Sequence, residues 1–68
     1  MADHIEQFFA YAHLPHALQQ VSAPFCDLAA HVIRTLPQNP ERTVALRKLL
    51  EAKDAAVRAH IANDIEQL

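Results

Sequence analysis

The segment Pro37-Gln38-Asn39-Pro40 constrains the fold of this chain more than any other stretch. Its prolines separate two helical patterns, because proline disfavours helical backbone in the preceding residue and fits the first turn of a new helix. Asn39 is placed to cap the second helix, and Glu41 complements the positive end of that helix. A connection this short returns the second helix antiparallel to the first. The segment therefore predicts a helical hairpin.

Composition limits the fold class to all-α. The 68 residues include no glycine and are 51% hydrophobic, whereas strands and tight hairpin turns usually need glycine at their corners. The chain is expected to form one domain, residues 1–68, and a chain of this length buries little apolar surface. Its single cysteine, Cys26, forms no internal disulfide. Self-association is the remaining source of stability, so we expect a homo-oligomer.

The first helix has the clearest apolar periodicity in the chain. Pro15 suits its first turn, and the pattern predicts an end near Leu36. Pro24 lies inside the pattern, so we expect a kink or a restart there, with Ser22 as the cap. Steps of three and four positions place six apolar side chains on one face: Leu18, Val21, Phe25, Leu28, Val32 and Leu36.

Residues 1–13 form an N-terminal arm that fits a short helix or an extended segment equally well. Three of the four aromatic residues of the chain lie here, namely Phe8, Phe9 and Tyr11. Because large aromatic side chains contribute much of the buried area in small proteins, we expect the arm to pack on the hairpin or on a neighbour.

The second helix has an apolar stripe that Lys53 and Asp54 interrupt for one helical turn. A lysine in such a gap most often lays its methylene groups on the apolar face and raises its ammonium into water. The alternative is that the gap faces a polar oligomer centre or a phosphate. The apolar positions on either side of the gap are Leu46, Leu49, Leu50, Val57, Ile61, Ile65 and Leu68.

Several classes of function do not fit the sequence. The formal net charge of −2 argues against binding DNA or RNA polymers through bulk electrostatics. No apolar run approaches the roughly 20 residues of a membrane span, and the N-terminus lacks the basic region of a signal peptide. We therefore expect a soluble, cytoplasmic protein.

Catalytic and metal sites are not expected either. No serine or cysteine has a base at a recognisable spacing, and no glycine-rich phosphate loop occurs. His13 and His16 are three positions apart with His4 nearby, yet they straddle a proline, and two histidines make a weak zinc site. The sequence therefore predicts a protein that is not an enzyme and that has no metal or cofactor.

Three motifs follow one another along nearly the whole chain. Together they resemble the hairpin domain of phage anti-CBASS and anti-Thoeris nucleotide sponges, and the third motif is the most specific part of the resemblance. The motifs are Phe9-x-Tyr11-x-His13-x-Pro15, Asp27-Leu28-Ala29, and Glu41-Arg42-Thr43-x-Ala45-Leu46-x-Lys48-Leu49-x-Glu51-Ala52.

This resemblance implies a helical protein that assembles into a hexamer and holds ligands between its subunits. The implied ligands are cyclic di- or trinucleotides, or cyclic ADP-ribose isomers, which the protein would sequester without cleaving them. It would thereby keep a bacterial immune effector inactive in the cytoplasm of the host. The chain departs from the resemblance at Ser22 and Cys26, where members of the family often place an arginine or a lysine.

A cyclic nucleotide needs a flat group for its bases and donors for its phosphate oxygens. The resemblance assigns the stacking role to Tyr11, with His13 in the same motif. Arg42 and Thr43 lie in the first turn of the second helix, where backbone N–H groups and the helix dipole favour an anion. The further candidates for ligand binding are the basic side chains of Arg47, Lys48, Lys53 and Arg58.

Structural roles compete with these assignments. Tyr11, beside two phenylalanines, could belong to a core or an interface. Arg42 could be solvated or could donate to the last carbonyls of the neighbouring helix, and Arg47 and Arg58 have acidic neighbours at helical spacing. The alternative function is therefore a ligand-free module whose hairpins dimerise or bind another protein helix through their apolar stripes.

Overall fold

The computed structural model describes the backbone of residues 4–66 and the side chains of Ile5 and of residues 7–62. A short 3₁₀ helix, His4–Phe9, precedes two long helices, α1 (His16–Thr35) and α2 (Pro40–Glu66), which pack against each other as a hairpin. No strand occurs within residues 4–66. The predicted all-α hairpin is therefore confirmed for the described part of the chain. In the same range, neither long helix has the length and apolar character needed to cross a bilayer.

The boundaries between the two helices lie where the prolines predict them. The amide of Leu36 donates to the carbonyl of Val32 at 3.1 Å and closes the last turn of α1. At the start of α2, the side-chain oxygen of Asn39 accepts a hydrogen bond of 2.8 Å from the amide of Arg42. Pro40 is the first residue of α2. The predicted asparagine cap is confirmed.

Of the two outcomes predicted at Pro24, a kink or a restart, the restart is wrong, because α1 is a single helix from His16 to Thr35. Pro24 and Gln20, whose carbonyl loses its helical partner, are both exposed, so water can hydrogen-bond that carbonyl. Ser22 is buried inside the helix and does not cap a second one. Packing on both sides of the proline outweighs the loss of one backbone bond. Pro15, predicted for the first turn, immediately precedes α1.

The face of α1 that packs most deeply differs from the predicted apolar stripe. Its buried residues are Ser22 and Ala29, whereas Leu28 and Leu36 of the stripe are exposed. At 3.6 residues per turn, the buried line is rotated by roughly 60° from the centre of the stripe. Small side chains at Ser22 and Ala29 allow close approach of a neighbouring helix, and size rather than hydrophobicity therefore decides which side of α1 is covered.

The N-terminal arm is an integral part of the core. Ile5 and Phe9 of the 3₁₀ helix are buried with Ala29 of α1 and Leu46 of α2. The 3₁₀ helix contacts both long helices and joins them across one side of the hairpin. Of the two conformations that the sequence left open for the arm, the structure shows a short helix.

The second helix is less amphipathic than the sequence suggested. Its buried side carries Arg42 as well as Leu46, and the largely buried Lys53 falls on the same side by helical periodicity. The two cations interrupt what would otherwise be an apolar seam. The side chains of Ile65 and Leu68, predicted to extend the stripe, lie outside the described residues.

Replacing Ser22 with alanine is expected to stabilise the protein by about 1 kcal/mol. The Ser22 side chain is 1% exposed, and its hydroxyl has no hydrogen-bond partner among the described residues. Alanine removes this unsatisfied group, has a higher helix propensity and changes the volume little. Urea denaturation should therefore show a higher midpoint for Ser22→Ala. Ala23→Ser, which adds a hydroxyl at the neighbouring and less buried position, is the matched control and should be slightly destabilising. An unchanged or lower midpoint for Ser22→Ala would contradict the expectation.

Candidate functional site

The turn between the 3₁₀ helix and α1 carries Tyr11 and His13. The Leu14 amide donates to the Tyr11 carbonyl at 3.0 Å. The side-chain amide of Gln19 donates to the carbonyl of Leu14 at 2.7 Å and lies 3.4 Å from that of Ala12. These bonds hold the turn against the beginning of α1. Tyr11 is half-buried and His13 is exposed, so a ligand can reach both.

Arg42 lies at the opposite end of the hairpin and is buried. Its Nη1 donates to the carbonyl of Ile33 at 3.2 Å and to that of Leu36 at 3.0 Å. These carbonyls belong to the last turn of α1 and to Leu36, the residue that caps it; they have no partner within that helix and lie at its negative end. Donation to the last carbonyls of the neighbouring helix is one of the two structural roles considered for Arg42 from the sequence. It ties the start of α2 to the end of α1.

Most backbone N–H groups of the first turn of α2 are absent or already have hydrogen-bond partners within the chain. Pro40 has no N–H, the amide of Arg42 donates to the Asn39 side chain, and the amide of Thr43 donates to the Asn39 carbonyl at 3.2 Å. The Thr43 hydroxyl also lies 3.4 Å from that carbonyl. The carboxylate of Glu41 adds negative charge to the same turn. This helix start therefore offers an anion fewer donors than the sequence suggested.

The other basic side chains of α2 point in different directions. Arg47, Lys48 and Arg58 are exposed, and the Lys48 ammonium lies 3.7 Å from a carboxylate oxygen of Glu51. The side chain of Lys53 is only 14% exposed, and its ammonium lies 2.9 Å from a carboxylate oxygen of Asp54. A buried stem with an ion-paired head fits the packing interpretation of Lys53.

The predicted ligand residues therefore fall into two groups at opposite ends of α1. The turn that carries Tyr11 and His13 is held by Gln19 near the beginning of the helix, whereas Arg42 donates to Ile33 near its end. Between Gln19 and Ile33 the helix advances about 20 Å. One chain does not bring the two groups together around one small ligand.

Sequence reasoning missed the buried surface of α1. A second series at steps of four, three and four runs beside the apolar stripe, through Ser22, Cys26, Ala29 and Ile33. The small side chains of its first three members were the available signal, because small residues permit close helix packing. The more hydrophobic apolar stripe was instead taken as the face that packs against the rest of the chain.

No group of three or more His, Cys, Asp or Glu side chains within the described part of the chain is arranged to hold a metal ion. The nitrogen Nε2 of His16 lies 3.2 Å from the side-chain amide of Gln20 on the next turn of the helix. The side chain of His4, considered beside His13 and His16 from the sequence, lies outside the described residues.

Comparisons of the chain with protein-family models, with curated proteins and with solved structures find no match. The function is therefore inferred from the residues and their geometry.

Proposed function

We propose that this protein is a non-catalytic sponge that binds a cyclic nucleotide messenger between copies of itself. The separation of about 20 Å between the Tyr11 turn and the Arg42 end of the hairpin carries the proposal. A single chain cannot use both ends for one ligand, whereas neighbouring subunits can bring different ends together. The motif resemblance, which implies pockets between subunits, agrees with this division.

Within this proposal, Tyr11 supplies a flat phenol ring on which a base stacks, and His13 supplies a hydrogen-bonding group beside it. Both are accessible in the single chain. Arg47 and Lys48 are exposed cations that can contact the phosphate oxygens of a ligand held by a neighbouring subunit. Arg42 and Lys53 already have partners within the chain. We assign these two to shaping the hairpin, with Thr43 beside the helix cap.

A thermal-shift and calorimetric screen against cyclic dinucleotides, cyclic trinucleotides and cyclic ADP-ribose isomers tests the proposal. A ligand present at about a hundred times its dissociation constant should add about 2.7 kcal/mol to the free energy of unfolding. The ligand should be recovered intact after release from the protein. Absence of a shift with every compound, at concentrations well above micromolar, would refute the sponge.

Substitutions of surface residues distinguish residues that bind the ligand from residues that hold the assembly together. Tyr11→Ala should abolish the shift while leaving the mass of the assembly unchanged. Asp27→Ala, which removes an exposed charge from the middle of α1, is the control and should bind as the parent protein does. If Tyr11→Ala breaks the assembly, Tyr11 is an interface residue and its stacking role is wrong.

One observation favours a second candidate, the ligand-free interaction module. Arg42 and Thr43, two of the residues assigned to phosphate binding, are engaged within the chain. Large apolar side chains remain exposed on both long helices, among them Leu28, Val44 and Ile61. If the protein is a ligand-free module, its assembly should be stable and no cyclic nucleotide should stabilise it further. The ligand screen therefore distinguishes the two functions.

A further inference from the structure

The apolar stripe of α1 that the hairpin leaves partly uncovered is suited to another protein surface. Leu28 is 48% exposed and Leu36 is 46% exposed, while Phe25 and Val32 pack only partly against the core. Leu18 and Val21 are half-buried. We call these six residues the outer stripe. It runs along nearly the whole of α1.

The exposed area of the chain points to a missing partner. The chain exposes 4855 Å² at a mass of 7.6 kDa, whereas a monomeric protein of that mass exposes about 4,300 Å². The excess, about 550 Å², approaches the roughly 800 Å² that each partner loses in a standard interface. A second subunit that covers the outer stripe would lower the exposed area towards the value expected from the mass.

Charge favours a second copy of the same face. The charged residues of α1 other than its histidines are Asp27 and Arg34, and helical periodicity places both roughly 150° from the centre of the stripe. Two such faces therefore meet without contact between like charges. An acidic or basic peptide would find no opposite charge on this face of α1.

The spacing of the outer stripe also suits a twofold axis. Its positions are nearly symmetric about the point between Phe25 and Leu28. An antiparallel copy of α1 centred there places Phe25 opposite Leu28 of the second copy, with Val21 opposite Val32 and Leu18 opposite Leu36. Every residue of the stripe then meets an apolar residue, and each pair occurs twice, as in an isologous interface.

We propose that two copies of this chain pack α1 against α1 in antiparallel orientation through the outer stripe. The proposal rests on the homo-oligomeric function above and specifies its interface. The arrangement brings the beginning of α1 in one chain, with the Tyr11 turn, beside the end of α1 in the other. It thereby brings together the Tyr11 turn and the Arg42 end of the hairpin, which a single chain holds about 20 Å apart.

The first test compares two variants by multi-angle light scattering without nucleotide. Leu28→Glu places a charge at the centre of the interface and should separate the two copies. The measured mass should therefore fall to half that of the parent protein. Val44→Glu is the matched control, because Val44 is 46% exposed on α2, away from the stripe, and it should keep the parent mass. Circular dichroism should give equal helicity for both variants. If Leu28→Glu unfolds, Leu36→Glu near the end of the stripe replaces it and should also lower the mass.

The second test fixes the orientation by cross-linking in a Cys26→Ser background. A mixture of Leu18→Cys and Leu36→Cys chains should form mainly mixed disulfide dimers, whereas each variant alone should cross-link poorly. Predominant cross-linking of each variant to itself would overturn the antiparallel packing. A parent protein that is monomeric, or a Leu28→Glu variant of parent mass, would overturn the interface. The nucleotide screen reports on the sponge independently, because it measures ligand binding rather than mass.

Discussion

Replacing Phe9 with alanine is expected to lower the free energy of unfolding by about 3–5 kcal/mol, the range found for buried phenylalanines. Phe9 is 2% exposed and packs with Ala29 and Leu46, so its removal leaves a cavity where the 3₁₀ helix meets both long helices. A small domain has only a few kcal/mol of net stability. We therefore expect Phe9→Ala to be largely unfolded at room temperature by circular dichroism.

The adjacent residue provides the control for this prediction. Phe8 belongs to the same 3₁₀ helix, but its side chain is 53% exposed. Phe8→Ala should therefore change the stability by well under half as much, because most of its surface is already in water. Equal losses for the two variants would show that the 3₁₀ helix does not pack on the hairpin through Phe9.

Replacing Arg42 with methionine is expected to cost about 2–3 kcal/mol of stability. Hydrogen bonds to charged groups contribute about 1.5–3 kcal/mol, and the substitution removes the donors to the carbonyls of Ile33 and Leu36. It also removes a cation from the negative end of α1. Methionine keeps the helix propensity and most of the packing volume. Urea denaturation at several protein concentrations should show the loss, because assembly makes stability depend on concentration.

Arg47→Met is the matched variant, because it makes the same chemical change on the exposed side of the same helix. Its stability should lie within about 0.5 kcal/mol of the parent protein. The pair also tests the division of roles proposed above. If Arg42→Met keeps the parent stability and loses nucleotide binding, Arg42 belongs to the ligand site and its contacts with α1 are secondary.

Local signals in the sequence were sufficient for the hairpin. The prolines and Asn39 act within one or two turns of their own position, so the end of α1 and the beginning of α2 follow from them. The arm was more difficult, because four apolar residues in a short segment fit two conformations. Its contacts with both long helices decided between them.

The candidate site was less predictable, because it depends on contacts between residues that are distant in the sequence. Tyr11 and His13 are on an accessible turn, as their motif suggested. The role of Arg42 depends on the carbonyls of Ile33 and Leu36, which only the return of the chain brings within 3.2 Å of its guanidinium. No spacing along one helix contains that information.

The sequence by itself determined the helical class, the single connection and the cap of α2, because each depends on backbone preferences of nearby residues. Only the tertiary structure decided which side of α1 is buried. The small residues Ser22 and Ala29 are covered, and Leu28 remains in solvent. Periodicity identifies the apolar faces of a helix, but packing selects among them by how closely a neighbour can approach.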